Sequence, residues 1–296
     1  MVLYAPKYYL DFKCIADKCT HSCCIGWEID IDQDTAELYK NLDGEYGKEI
    51  LKSVDFIDTP HFVLGENERC PHLDGQGLCK IISTYGEDCL CEICREHPRF
   101  YNDTPRGKEV GLGMACEEAC RLILNSNNYD EFIEINGADV EIESTAFNPT
   151  LERAYIYKVL KDYSLSYSDR LQELYKKYNV SPFLCKDKEW QNIISSLEYL
   201  DPRHKELLCG YSSTLLPSEE QQVYLERALA YFIYRHCSEA CDYGEFVTAL
   251  GFCFFLERLL AYVAQKTGNV ELSARIVSEE IEYSLDNTET IKMIFY

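Results

Sequence analysis

Three cysteines within six residues constrain this chain more than any other feature: Cys19, Cys23 and Cys24, with Cys14 just upstream. Eleven of the 16 cysteines fall in the first 120 residues: Cys14, Cys19, Cys23, Cys24, Cys70, Cys79, Cys89, Cys91, Cys94, Cys116 and Cys120. The chain opens without a basic start, an apolar run and a small-residue cleavage site, so an export signal is not expected. Thiols this dense without an export signal point to a metal or iron–sulfur site rather than a disulfide framework. The other five, Cys185, Cys209, Cys237, Cys241 and Cys253, are scattered. Free cysteine is common in cores as a small hydrophobe, so these need no function. Cys237 and Cys241 stand four apart on an expected helix and are read as core.

Charge narrows the partners. The formal net charge is −22. Residues 1–150 hold 29 acidic and 13 basic side chains, so the cysteine-rich half is also the acidic half. A nucleic-acid partner needs Lys and Arg to displace counterions, and is not expected. A lysine-bearing protein partner is compatible with this charge, as is an acidic surface that only keeps the protein soluble. The longest apolar stretch, near 246–256, contains Thr248 and ends at Glu257 and Arg258, too short to cross a bilayer. The expectation is a cytoplasmic protein with no membrane partner and reduced thiols.

The pattern along the chain predicts a mainly α protein. An irregular, cysteine-rich, metal-binding region with short strands (1–138) is expected to pack on a C-terminal helical bundle (139–296). The division is placed between Asn136-Gly137 and Asn148-Pro149, turn dipeptides flanking an acidic stretch. Residues 26–32 alternate apolar and acidic as a half-exposed strand would, and 61–64 is a second strand candidate. Asp32 or Asp34 is placed to cap a helix running through Leu38, Tyr39 and Leu42. Leu73 to Leu78 reads as a hairpin turn. Beyond 150, helices are expected over 151–178, 219–236, 244–265 and 271–284, with breaks at Pro182 and Pro202. The 244–265 segment is apolar nearly all round and is expected at the centre of the bundle.

Spacing alone leaves the metal open. Cys91-x2-Cys94 has zinc-like spacing, and His97 three residues on can add an imidazole. Four thiolates serve a four-iron four-sulfur cluster equally well. A closed thiolate site can also be a folding staple with no chemistry. The C-x3-C-x2-C run of radical enzymes is absent, because Cys19-x3-Cys23 is followed at once by Cys24.

The stretch Phe12-Lys13-Cys14, Cys19, Cys23-Cys24-Ile25-Gly26-Trp27-Glu28-Ile29-Asp30 resembles the opening of the flagellin lysine-N-methylase family. That family sits in a wider group of cysteine-rich, metal-chelating domains. Arg69-Cys70-Pro71-His72-Leu73, Leu78-Cys79-Lys80-Ile81, Tyr85-Gly86-Glu87-Asp88, Cys94-Arg95-Glu96-His97-Pro98-Arg99 and 114–122 (Met114 to Leu122, with Cys116) resemble its later blocks. The resemblance covers residues 8–125. It implies methyl transfer from S-adenosylmethionine to lysines of flagellin, or of another lysine-bearing protein, by a bacterial enzyme carrying an iron–sulfur cluster (4Fe-4S), with zinc as the alternative metal. By motif matching it makes Cys19, Cys23, Cys24, Cys70, Cys79, Cys94 and Cys116 the candidate ligands, and Cys14 a further one. Cys89, Cys91 and Cys120 match less well and are taken as incidental. The chain looks shorter than the family on its C-terminal side, so a different target is compatible with a retained cluster. The alternative functions are a non-enzymatic iron–sulfur redox or sensor module and a zinc-stapled interaction protein.

Other residues carry weaker signals. Trp27 can shield a cluster or anchor a core. Asp30, Asp32, Glu87-Asp88 and Glu117-Glu118 can act as bases, although capping and solvation suit them better. Arg95 and Arg99 can pair a carboxylate such as that of a methionine-derived cofactor. The 23 tyrosines can offer rings to a cation. Gly75-x-Gly77 and Gly111-x-Gly113 lack the third glycine of a dinucleotide-type loop, so a methyl-donor pocket of that kind is not expected.

Overall fold

The structure, a computed structural model, describes residues 3–104, 107–136, 147–215 and 217–296. The chain divides into two compact units: Met1–Phe12 with Arg99–Tyr296, and Lys13–Pro98. The expected division at 138/139 lies outside the described residues.

The chain starts in the first unit with strand β1 (Leu3–Pro6) and then enters the second. There the elements are short. They are helices α1 (Gln33–Lys40) and α2 (Gly44–Lys52), strands β2 (Val54–Asp55) and β3 (His61–Phe62), and helices α3 (Lys80–Tyr85) and α4 (Glu92–Glu96). Asp32 caps α1 as expected, its carboxylate accepting from Thr35 N at 2.9 Å. The strand expected over 26–32 does not form as a ladder. Gly26 has φ +85°, outside the extended region, and the segment makes isolated bridges instead, Ile25 with Arg69 and Asp30 with His61. The turn at Leu73 to Leu78 is present: Asp74 N donates to Leu78 O at 2.9 Å, Leu78 N donates back to Asp74 Oδ1 at 2.8 Å, and Leu73 bridges Cys79. This unit's buried apolar cluster is small. It includes Ile29, Ile31, Tyr39, Ile50, Phe62, Leu73 and Ile81, together with Cys70 and Cys91.

Back in the first unit, β4 (Arg99–Thr104) and β5 (Gly107–Leu112) form an antiparallel pair. With β1 and β6 (Phe132–Asn136) they make a four-stranded sheet ordered β4-β5-β1-β6. β1 runs parallel to β5 and antiparallel to β6. Helix α5 (Glu117–Asn125) lies between β5 and β6 in sequence. After 146 the chain is helical: α6 (Pro149–Leu160), α7 (Tyr167–Tyr178), α8 (Asp187–Ser196), α9 (Pro202–Cys209), α10 (Glu219–His236), α11 (Tyr243–Thr267), α12 (Val270–Val277) and α13 (Leu285–Lys292). Pro149 and Pro202 sit in the first turns of α6 and α9, where a missing N–H costs nothing.

Helix α11 is the axis of this unit. Asp242 caps its start, accepting from Glu245 N at 2.9 Å, and Gly268 at φ +69° closes its end. By length and composition it matches a membrane span, but 89% of its most apolar window is buried inside the fold. Trp190 stacks on Phe255 at 3.9 Å and Tyr175 meets Phe254 edge-on at 4.7 Å. Gly251 is required there, since a Cβ would stand 2.4 Å from the Phe295 ring. Two buried ion pairs cross the layers. Arg153 on α6 holds Glu109 of β5 through both carboxylate oxygens, and Arg170 on α7 holds Glu226 of α10 at 2.6 Å.

Candidate metal centre

In the second unit the local backbone carries thiols from distant parts of the sequence to one place. Cys24 ends a turn just before the Ile25–Arg69 bridge and Cys70 follows it, Cys70 N donating to Cys24 O at 2.9 Å. Cys79 stands at the start of α3, where the helix N–H groups of Ile81 and Ile82 pull its pKa down. Cys91 stands at the start of α4 and Cys94 one turn later. Asp32 ties these pieces together. Besides capping α1, it accepts from Glu92 N at 2.8 Å and so holds the start of α4 as well. That carboxylate is therefore a structural cap, and its backbone donors keep its pKa below the ordinary value against the opposing effect of burial.

The five thiols sense one another. Cys70 is pushed up to about 12, chiefly by burial, with the charges of Cys24, Cys79 and Cys91 adding to it. Cys79 is raised by burial, against the pull of its helix N–H groups, with Cys24 and Cys91 contributing. Cys91 and Cys94 act on each other in opposite directions: the Cys94 side chain lowers Cys91 against burial, and Cys91 together with burial raises Cys94. Cys24 is brought down to about 7 by the Cys23 S–H, helped by Ser22 and Arg69. Tyr39 and Tyr46 lie beside the group. Burial raises both, and the thiol charges raise them further. Tyr39 donates to Cys89 O at 2.9 Å.

His72 falls in the same region and is 1% exposed. Its Nδ1 lies 3.1 Å from the Tyr46 hydroxyl and its Nε2 2.8 Å from Ser53 Oγ. Burial brings it down to about 4, so it is a neutral ring with both nitrogens engaged.

Of the thiols singled out in the sequence, Cys24, Cys70, Cys79 and Cys94 come together here. Cys23 touches the group through Cys24 and is itself exposed. Cys19 is half-buried after a short turn at Ala16–Lys18, and Cys14 is exposed. Cys116 belongs to the first unit, at the start of α5 beside Tyr283. Cys91, taken as incidental, is fully buried in the thiol group. Its C-x2-C spacing with Cys94 was the signal that marked it. Cys120 is buried in the first unit's core. Cys237 is buried at the end of α10, 3.8 Å from Cys253, whereas Cys241 lies beyond the helix and is exposed. The expected helical Cys237–Cys241 pair is therefore absent, because α10 stops at His236.

All sixteen cysteines are free thiols. Among the described residues no three His, Cys, Asp or Glu side chains converge closely enough to hold a metal ion. Thiols are donors of the kind a soft metal takes, the side chains around them are apolar, and the one buried imidazole beside them is already engaged.

No protein-family model matches the chain, and no solved structure does. Curated sequences do. The chain is 27% identical over 127 residues to the flagellar biosynthetic protein FliU of Salmonella muenchen, covering 40% of this chain and 75% of that protein. It is also 27% identical over 127 residues to the lysine-N-methylases of Salmonella choleraesuis and Salmonella typhimurium, again 40% of this chain. The match spans 32% of each methylase, about a third of its length. Over that stretch the chain resembles the flagellin lysine-N-methylase family.

Proposed function

We propose that this chain is a lysine-N-methylase-like protein of the bacterial cytoplasm that transfers the methyl group of S-adenosylmethionine to lysine side chains, with flagellin as the acceptor. The observation that carries this reading is the likeness to lysine-N-methylases and to a flagellar protein over 127 residues. In the transfer, the neutral lysine amine attacks the sulfonium methyl carbon, the carbon–sulfur bond breaks, and S-adenosylhomocysteine leaves. The amine's extra proton passes to solvent or a base. An acidic surface, net −22 over the chain, favours the approach of a lysine-bearing acceptor.

In the same reading Cys24, Cys70, Cys79, Cys91 and Cys94 are the thiols that hold an iron–sulfur cluster, a cubane taking four of them. Such a cluster supplies electron transfer or a rigid centre for the surrounding short elements. The chain's own contribution is clearer. Asp32 ties the starts of α1 and α4 together beside Cys91, and Tyr39, Phe62 and Leu73 make the core around the thiols apolar.

The test is incubation of the anaerobically purified protein with methyl-labelled S-adenosylmethionine and flagellin. Label on flagellin lysines, seen as the mass of added methyl groups, supports the reading. No label with a cluster-loaded protein overturns it. The Cys91-x2-Cys94 spacing at the start of α4 favours one other reading, a redox module without methyl transfer. That module would cycle reversibly between oxidised and reduced forms and bind no methyl donor.

A further inference from the structure

The first unit contains a cleft of about 330 Å³, open to solvent, at the low end of the size range of small-molecule sites. Its floor is the buried pair of Arg170 on α7 and Glu226 on α10. Two tyrosyl hydroxyls complete the floor: Tyr129 donates to Glu226 Oε1 at 2.7 Å and Tyr163 to the same oxygen at 3.0 Å. Each hydroxyl keeps acceptor lone pairs after giving its proton. The rim carries one charge of each sign, Glu219 in the first turn of α10 and Arg227 two turns on. Arg227 donates to Leu124 O at 2.7 Å and to Asn127 Oδ1, two of its five N–H bonds.

We propose that this cleft binds the α-amino-acid headgroup of a small molecule and, resting on the methylation reading above, that this molecule is S-adenosylmethionine. The charges argue for a zwitterion. Two carboxylates and two guanidiniums line the cleft, and one of each is already consumed in the floor pair. What the rim offers is a carboxylate and a guanidinium on one helix, the complement of an ammonium and a carboxylate on one carbon. A simple anion meets Glu219, and a simple cation meets Arg227. The ammonium takes Glu219 and the tyrosyl lone pairs, and the ligand carboxylate takes Arg227. The remainder of the ligand extends toward solvent past Val223. None of the cysteines lines this cleft.

The test is titration calorimetry of the full chain with four probes: S-adenosylmethionine, S-adenosylhomocysteine, L-methionine and methylthioadenosine, which lacks the headgroup. The first three are expected to bind, and methylthioadenosine at least about tenfold more weakly than S-adenosylhomocysteine, a charged hydrogen bond contributing that much or more. Arg227→Gln is expected to weaken the three amino-acid probes by about tenfold. Glu219→Gln, at an exposed position, is expected to weaken them by roughly threefold. Because Arg227 also holds the loop at Leu124, Arg227→Gln is checked by circular dichroism; Glu219→Gln provides an independent variant. Binding of S-adenosylmethionine at wild-type affinity in both variants overturns the cleft and leaves the methylation reading standing. L-Methionine binding that depends on Arg227, with no binding of S-adenosylmethionine, supports the headgroup site and removes the donor assignment. No binding of any probe at millimolar concentration overturns the proposal.

Discussion

The two units differ in what fills their cores. In the first, α11 is surrounded by aromatic and aliphatic side chains, Trp190, Phe232, Phe252, Phe254 and Phe255 among them, all fully buried. In the second, less than a third of the chain, the elements are one to three turns long, and thiols stand among the core side chains. Apolar area is enough to hold the first. A unit the size of the second buries a smaller share of its surface, and domains of that kind often rely on a staple. The contrast teaches that the thiol group is the part of the second unit's core that a bound metal or cluster would complete. The charged pairs follow the same division. Buried Arg–Glu pairs join elements in the first unit, whereas in the second a single carboxylate, Asp32, fixes two helix starts.

The largest expected effect comes from removing the proposed metal or cluster. A strong chelator under anaerobic, reducing conditions is expected to open residues 13–98 to protease while the helices of 149–296 keep their far-ultraviolet signal. Equal resistance of both units would break the comparison. Next, Trp190→Ala is expected to destabilise the first unit by about 3–5 kcal/mol in urea unfolding, because the cavity opens against Phe255. Arg153→Ala is expected to cost a similar amount, roughly 3–5 kcal/mol, since Glu109 is left buried and unpaired. Neither change is expected to alter metal content. Asp32→Ala acts on the other side of the comparison. It removes the cap of α1 and the tie to α4, at about 0.5–2 kcal/mol for the cap. Its faster amide exchange is expected in 13–98 alone.

The smallest effect is a pH dependence in the first unit. Burial holds His236 below its ordinary value of 6.5, and its neutral ring lies 2.7 Å from Glu282. The unfolded chain then takes up a proton below about pH 6.5 that the folded chain refuses. Stability from this group is full above that pH and declines as pH falls toward the folded value, by at most about 1.4 kcal/mol per pH unit. His236→Gln is expected to flatten that part of the pH–stability curve, and an unchanged curve would remove His236 from the account.

The helical half was legible because its signals are local. Apolar residues at three- and four-residue steps and Gly268 mark α10 and α11 within a few residues of where they stand, and the stretch expected over 151–178 holds α6 and α7, although the break between them and the helices α8 and α9 were not foreseen. The mixed sheet was not foreseen, because β1 finds its partners more than a hundred residues away, at Lys108 and Phe132. The same distance problem governed the thiols. Motif likeness pointed to Cys24, Cys70, Cys79 and Cys94, but it also gathered Cys116, which the chain's path assigns to the other unit. It passed over Cys91, which spacing had marked and burial places in the group. The cleft at Arg227 has no sequence signature, since its walls come from α7, α10 and two loops.

The most direct measurement is the iron, sulfide and zinc content of anaerobically purified protein, in the wild type and in Cys91→Ser and Cys116→Ser. The account predicts a brown protein with iron and sulfide in equal amounts, lost in Cys91→Ser and kept in Cys116→Ser. A colourless protein without metal would contradict it, as would a cluster that survives Cys91→Ser and disappears with Cys116→Ser.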